Sequence, residues 1–238
     1  MRFLVLVAGL LVIGASTSGP AFSQMPDGHA LYRVTTLRAA PGKLLDLIEA
    51  LKDRPGTAPE KPMIMRHSQG DQWDLLVLEP VDSYAKYFAR RGHRPTALER
   101  AGETLAVFRE DLFAYGPPAA ETRKRFAESG LFHIEMFAAL AGKKAALLDQ
   151  RRIENTFSRS IGRPDNLIWR GDLGSDIDVF TIGFYRDLAH FAAPAPVTDA
   201  AEVERLAKKA GFAGRAFIGT YLRELIARHH DTLATKIE

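Results

Sequence analysis

Residues 30–43 read ALYRVTTLRAAPGK, and residues 130–143 read GLFHIEMFAALAGK. The two stretches align without a gap at an offset of one hundred: Leu31, Ala39, Gly42 and Lys43 recur as Leu131, Ala139, Gly142 and Lys143. Tyr32 and Val34 become Phe132 and Ile134. Further along, the offset becomes one hundred and four. There Ile64, Arg66, Gly70, Asp74, Ala85 and Ala89 recur as Ile168, Arg170, Gly174, Asp178, Ala189 and Ala193, and Tyr87 becomes Phe191. Two collinear segments with matched hydrophobic patterns point to an internal duplication.

Each half carries the same order of elements. Residues 31–38 alternate and are rich in β-formers, so they predict a strand. Pro41 is expected to open a helix at its favoured first-turn position, with Leu44, Leu47, Ile48 and Leu51 as its apolar face. Pro55, Gly56 and Pro59 close that helix into a loop. Residues 63–67 and 73–79, on either side of a turn at Gly70, predict a hairpin. A helix over 82–91 resumes over 96–109, and 112–115 predicts a closing strand before Pro117 and Pro118. The second half predicts a strand over 131–138, a helix over 142–157, and a hairpin of 166–170 with 177–184. Helices over 186–192, 199–210 and 216–228 and a strand over 232–237 follow, and residues 116–130 link the halves.

The chain has 238 residues, 46% hydrophobic and 26% charged, an ordinary globular composition with ample core for one large domain or two small ones. The net charge of +3 is small and the basic residues are dispersed, so no nucleic-acid module is expected. The densest clusters, Arg90, Arg91, His93 and Arg94, then Arg123, Lys124 and Arg125, read as solvated helix ends. Arg2, the apolar run 3–13 and the small, polar stretch ending in Ala21 and Ser23 have the order of a signal peptide, with cleavage expected before Gln24. A periplasmic or secreted product, free of the membrane after cleavage, is the expectation. The absence of cysteine excludes disulfides, thiolate catalysis and cysteine metal sites.

The order βαββαβ is the split-βαβ, ferredoxin-like unit, whose antiparallel sheet carries helices on one face only. The bare face must be covered, and a second copy covers it. The expected fold class is therefore α+β: two tandem ferredoxin-like repeats, 24–118 and 119–238 behind a signal peptide 1–23, packed sheet-to-sheet as a pseudo-dimeric α+β barrel. The YRVTTLRAAPGK opening, the hairpin and the DSYAKYFA helix resemble the dimeric α+β barrel superfamily. That group includes antibiotic-biosynthesis-type monooxygenases, EthD-like proteins and NIPSNAP-like proteins, the last often duplicated in one chain. The resemblance spans nearly all the mature chain and implies fold more than activity.

In such a barrel the sheets would meet around an interior cavity. Tyr32, Val34 and Thr36, with Phe132, Ile134 and Met136, are the more apolar alternates and are expected under the helices. Arg33 and Thr35, with His133 and Glu135, then face the barrel interior as ligand-binding and catalytic candidates. His133 and Glu135 lie about two strand residues apart, ~7 Å, on one face, where an imidazole beside a carboxylate could move a proton near neutral pH. A self-satisfied polar cluster is the alternative. His67, Trp73, Glu79 and Trp169 are expected at the cavity mouth, Trp73 and Trp169 reading also as plain core.

His229, His230 and Asp231, placed between the last helix and last strand, match no metal motif, and no metal site is expected. His190 lies on a helix, as the haem-ligating His of chlorite-dismutase-type proteins does, but without a wider match; no cofactor is expected. GxGxxG, P-loop and GxSxG motifs are absent. The leading reading is an exported small-molecule-binding barrel, monomeric or a weak homodimer. The alternatives are a cofactor-independent monooxygenase or isomerase of aromatic or polyketide-like compounds, and a filled barrel serving as a structural or protein-interaction module. In the enzymatic case Arg33 would orient an anionic oxygen, while His133 and Glu135 would take a proton.

Overall fold

The computed structural model describes residues 29–52, 61–89 and 96–237. The expected signal segment, the 55–59 loop and the cluster of Arg90, Arg91, His93 and Arg94 lie outside the described residues. The first half runs β1 (Ala30–Ala39), α1 (Leu44–Lys52), β2 (Met63–Gln69), β3 (Leu75–Val81), α2 (Tyr84–Ala89), α3 (Ala97–Leu105) and β4 (Ala106–Gly116). A linker helix α4 (Ala119–Ala127) follows. The second half runs β5 (Leu131–Ala139), α5 (Lys144–Ser160), β6 (Leu167–Leu173), β7 (Val179–Tyr185), α6 (Leu188–Ala192), α7 (Ala200–Ala210), α8 (Phe217–Arg223) and β8 (Ile226–Lys236).

The strands close into one antiparallel barrel in the order β1-β3-β2-β8-β5-β7-β6-β4. The first half thus contributes β4-β1-β3-β2 and the second β8-β5-β7-β6, joined along β2·β8 and β4·β6. Local devices recur at matched places. Gly42 and Gly142 turn the chain at φ 75° and 74°. Asp74 accepts the Ala39 N–H at 2.8 Å, and Asp178 accepts the Ala139 N–H at 2.9 Å.

Side chains from all eight strands meet in one interior cluster. Tyr32, Val34, Met65, Leu76, Leu78, Phe132, Ile134, Trp169, Phe180 and Ile182 belong to it, and both halves contribute. Trp169 is fully buried, stacked on Phe180 at 4.9 Å between ring centres and edge-on to Tyr32 at 5.8 Å. Its indole N–H has no acceptor among the described residues; the aromatic contacts hold the ring. Trp73 and Ile177 close one end of the barrel. At the other end, Phe126 of α4 stacks on Phe132 at 5.2 Å. There the Tyr32 hydroxyl donates to Pro117 O at 2.7 Å and lies 2.9 Å from Thr122 Oγ1, and burial pushes the phenol up to about 12.

The outer face of the barrel carries the helices. Leu37, Leu75 and Val77 pack under Leu47, Ile48 and Leu51 of α1 and Leu98 of α3. Phe137 and Val179 pack under Leu147 of α5 and Leu222 of α8. α7 forms a second layer on α5 through Val203, Leu206 and Phe157, with Asp199 capping its start and Gly211, at φ 118°, its end. No helix among the described residues is long and apolar enough to cross a membrane.

These positions correct the expected facing of the strands. Tyr32, Val34, Phe132, Ile134 and Met136 point into the barrel, not toward the helices. Arg33, Thr35, His133 and Glu135 are on the outer face. Both faces of every central strand are covered, so alternation alone cannot tell them apart. A charge inside the barrel would have no water and no partner, whereas the outer face meets ionic helix side chains at its margins.

Several boundaries differ as well. Pro41 lies in a turn before α1 rather than in its first turn. β4 and β8 start at Ala106 and Ile226, inside the predicted helices, because those residues pair with β1 and β5. His229, His230 and Asp231 are therefore strand residues, with alternating sides. Trp73 sits in the hairpin loop rather than in β3. The expected linker contains α4, and its basic cluster is partly tied down: Arg123 donates to Lys61 O at 2.7 Å and Arg125 to Asp165 at 2.9 Å.

Candidate functional site

The richest polar cluster lies on the outer face of β5, β7 and β8, beneath α5 and α6. Register places Glu135 opposite Asp231 on β8 and Thr181 on β7, and His133 opposite Gly183 on β7. His133 Nε2 lies 3.2 Å from Asp231 Oδ1, and the other carboxylate oxygen lies 3.1 Å from His229 Nε2. Phe191 of α6 covers the imidazole at 5.3 Å between ring centres. The His133 side chain keeps 22% of its exposure, so solvent reaches it. Burial opposes its charge, but the Asp231 contact and the charges of Glu135 and Asp231 outweigh it and hold the imidazole above its ordinary pKa. The same hydrogen bond holds Asp231 below the usual carboxylate range.

Glu135 is anchored from three sides. It accepts the Thr181 hydroxyl at 2.9 Å, the Asn166 amide at 3.3 Å and the Arg151 guanidinium at 3.4 Å. Arg151 is itself buried, with 3% exposure, over the Phe137 ring at 4.8 Å, and it also holds Gln150 and Glu154. Burial raises the Glu154 carboxyl, helped by the nearby charge of Glu135 and opposed by Arg151. A polar network this well satisfied is rigid. The imidazole stands at its open edge, where it can exchange a proton with a bound molecule.

The first half has a closed counterpart. Arg33 and Thr35 both donate to Asp111 Oδ1, at 3.0 and 2.6 Å, and Arg109 holds the other oxygen at 2.7 Å. Tyr87 stands 5.5 Å from the Arg33 guanidinium, the place Phe191 takes over His133. Arg33 is 3% exposed, so this copy is an internal ion-pair cluster and not the interior ligand contact that was expected.

The remaining candidates separate. Trp169 is deep in the barrel core and not at a mouth. Trp73 is buried at one end, its indole N–H donating to Asp71 at 2.8 Å, with His67 beside it at 5.6 Å. His230 lies on the inward face, 3.4 Å from Asp71, while His229 faces outward toward Asp231. The structure therefore brings His133 and Glu135 together and leaves Arg33, Thr35, His67, Trp73 and Trp169 elsewhere. Sequence reasoning noted Asp231 only beside His229 and His230, and missed Arg151, Thr181, Asn166 and Phe191. Of these only Phe191 carried a signal, as the aromatic residue at matched spacing to Tyr87. Among the described residues no group of three or more His, Asp and Glu is arranged to hold a metal ion.

Comparison with known proteins places the fold. No family model matches the chain, and no curated protein matches it. A solved anthrone oxidase-like protein is similar over 89% of this chain and 92% of its own, with a TM-score of 0.57 and 12% identity. A protein described as a candidate chlorite dismutase is similar over 88% of this chain and 95% of its own, with a TM-score of 0.52 and 10% identity. These neighbours are dimeric α+β barrel proteins. The chain is a mixed α/β protein built on an eight-stranded antiparallel barrel of that kind.

Proposed function

We propose that this protein is a small-molecule-binding α+β barrel of two tandem ferredoxin-like repeats, with its ligand on the outer face of the second repeat. The matched glycine turns, the matched Asp74 and Asp178 bonds and the two copies of one strand order support the duplication. The observation that carries the site is His133: a half-open imidazole between two carboxylates, roofed by an aromatic ring. Such a group recognises an acidic hydroxyl or enol and can take its proton. Proton abstraction by His133, with Asp231 orienting the ring, favours the second reading: a cofactor-independent monooxygenase or isomerase of aromatic compounds. The barrel closes within one chain, which favours a monomer or weak homodimer. Export with a mature start at Gln24 belongs to this reading and is checked by mass of the processed chain.

The test is purification from the native compartment with mass spectrometry of retained small molecules, followed by titration of the hit while the His133 ring resonances are observed. The expected result is a shift at His133 and Phe191, lost turnover and only weakened binding in His133→Ala. A ligand that shifts neither residue sinks the site, and equal loss of binding and turnover removes the proton-transfer role.

A further inference from the structure

The C-terminal end of the linker helix, the end of β7 and the start of α6 border an open hollow of about 370 Å³ lined by Arg125, Glu128, Ser129, Phe184, Arg186 and His190. Its size falls at the lower end of the small-ligand range, ~300–1,000 Å³. The backbone fixes its walls. The Gly130 N–H donates to Tyr185 O at 3.1 Å, stapling the linker to β7. A Cβ on Gly130 would stand 2.7 Å from Arg186 O, so the approach requires glycine. Asp187 caps α6 by accepting the His190 N–H at 2.8 Å, and His190 Nδ1 accepts the Arg186 N–H at 3.2 Å. With Nδ1 used as an acceptor, the ring proton resides on Nε2, which is left as a donor.

Several donors line the hollow. Ser129 is 8% exposed and lines the hollow. The hydroxyl borders the hollow, where water or a ligand group can complete it. Arg186 is exposed and lines the hollow. Arg125 is already held by Asp165 and Glu121 and adds only its field, while Glu128 is the opposing charge. Phe184 supplies one apolar wall, continuous with the barrel core.

We propose that this hollow binds a small molecule with an anionic oxygen group, received by Arg186, Ser129 Oγ and His190 Nε2, its apolar part lying on Phe184. It is distinct from the His133 site, although α6 borders both, presenting Phe191 to one and His190 to the other.

The experiment is calorimetric titration of the mature chain with benzoate and, separately, inorganic phosphate. Saturable one-to-one binding of either probe is expected. Benzoate alone would identify a carboxylate with an apolar body, and phosphate alone a phosphate group. Arg186→Gln should weaken binding at least tenfold and Ser129→Ala at least threefold, with affinity falling as salt is raised. His133→Ala should leave the affinity within twofold. Absence of saturable binding by both probes overturns the proposal, as does wild-type affinity in both Arg186→Gln and Ser129→Ala.

Discussion

Gly116 on β4 passes over the face of Trp169 so closely that a Cβ there would stand 2.0 Å from the indole Cδ1 and 2.1 Å from Nε1. The indole cannot retreat, because Phe180 stacks on it at 4.9 Å and Tyr32 meets it edge-on at 5.8 Å. Gly116→Ala therefore overpacks a filled barrel, at a cost of about 1–3 kcal/mol. Trp169→Ala removes the ring and should cost about 3–5 kcal/mol. In the Trp169→Ala background the added methyl meets only the vacated space, so Gly116→Ala becomes neutral or slightly stabilising. The coupling between the two sites should then be about 1–3 kcal/mol, favouring the double variant over the sum of the singles. Urea unfolding of the four proteins, followed by fluorescence and circular dichroism together, measures it. Additive effects, within about 0.5 kcal/mol, would refute the claim that Trp169 fills the interior against Gly116.

Three further outcomes follow from the outer face. Because His133 is held above its ordinary pKa, its contribution to stability is complete below the unfolded value of about 6.5 and is lost as pH rises through the folded value. Thermal unfolding should therefore show stability falling above about pH 6.5 in the wild type; Asp231→Asn should flatten that slope, and an unchanged slope would count against the pair. Arg151→Met leaves Glu135 and Glu154 facing each other without their shared cation and should cost about 3 kcal/mol, partly recovered at acid pH; a denaturation midpoint equal to wild type would contradict this. Asp74→Ala and Asp178→Ala each remove one carboxylate from a backbone N–H at the same place in the two halves. Each should cost about 1.5 kcal/mol, and a difference above about 1 kcal/mol between them would weigh against equivalent repeats.

The order of strands and helices in each half was legible because it rests on spacing: Leu31 with Leu131, Gly70 with Gly174, Asp74 with Asp178. The facing of β1 and β5 was not. A strand buried on both sides has two apolar faces, and Tyr32 and Phe132 are as fit for a barrel interior as for a helix contact. The ionic side chains on the other alternates were the better guide, since Arg33 and Glu135 need partners that only the helix-bearing face and its neighbouring strands supply. The starts of β4 and β8 were hidden because the residues there, such as Arg228 and His229, owe their extended form to pairing with β5 and not to their own pattern. The same lost boundary concealed Asp231, which reaches His133 only once β8 is recognised as a strand alongside β5.

The most direct measurement is a crystal structure of the protein under xenon pressure. A barrel filled by Trp169, Phe180, Tyr32 and Phe132 predicts no xenon inside, and His133 and Glu135 turned outward toward α6 and α5. Xenon within the barrel beside an inward-turned His133 would contradict both the packing and the placement of the site.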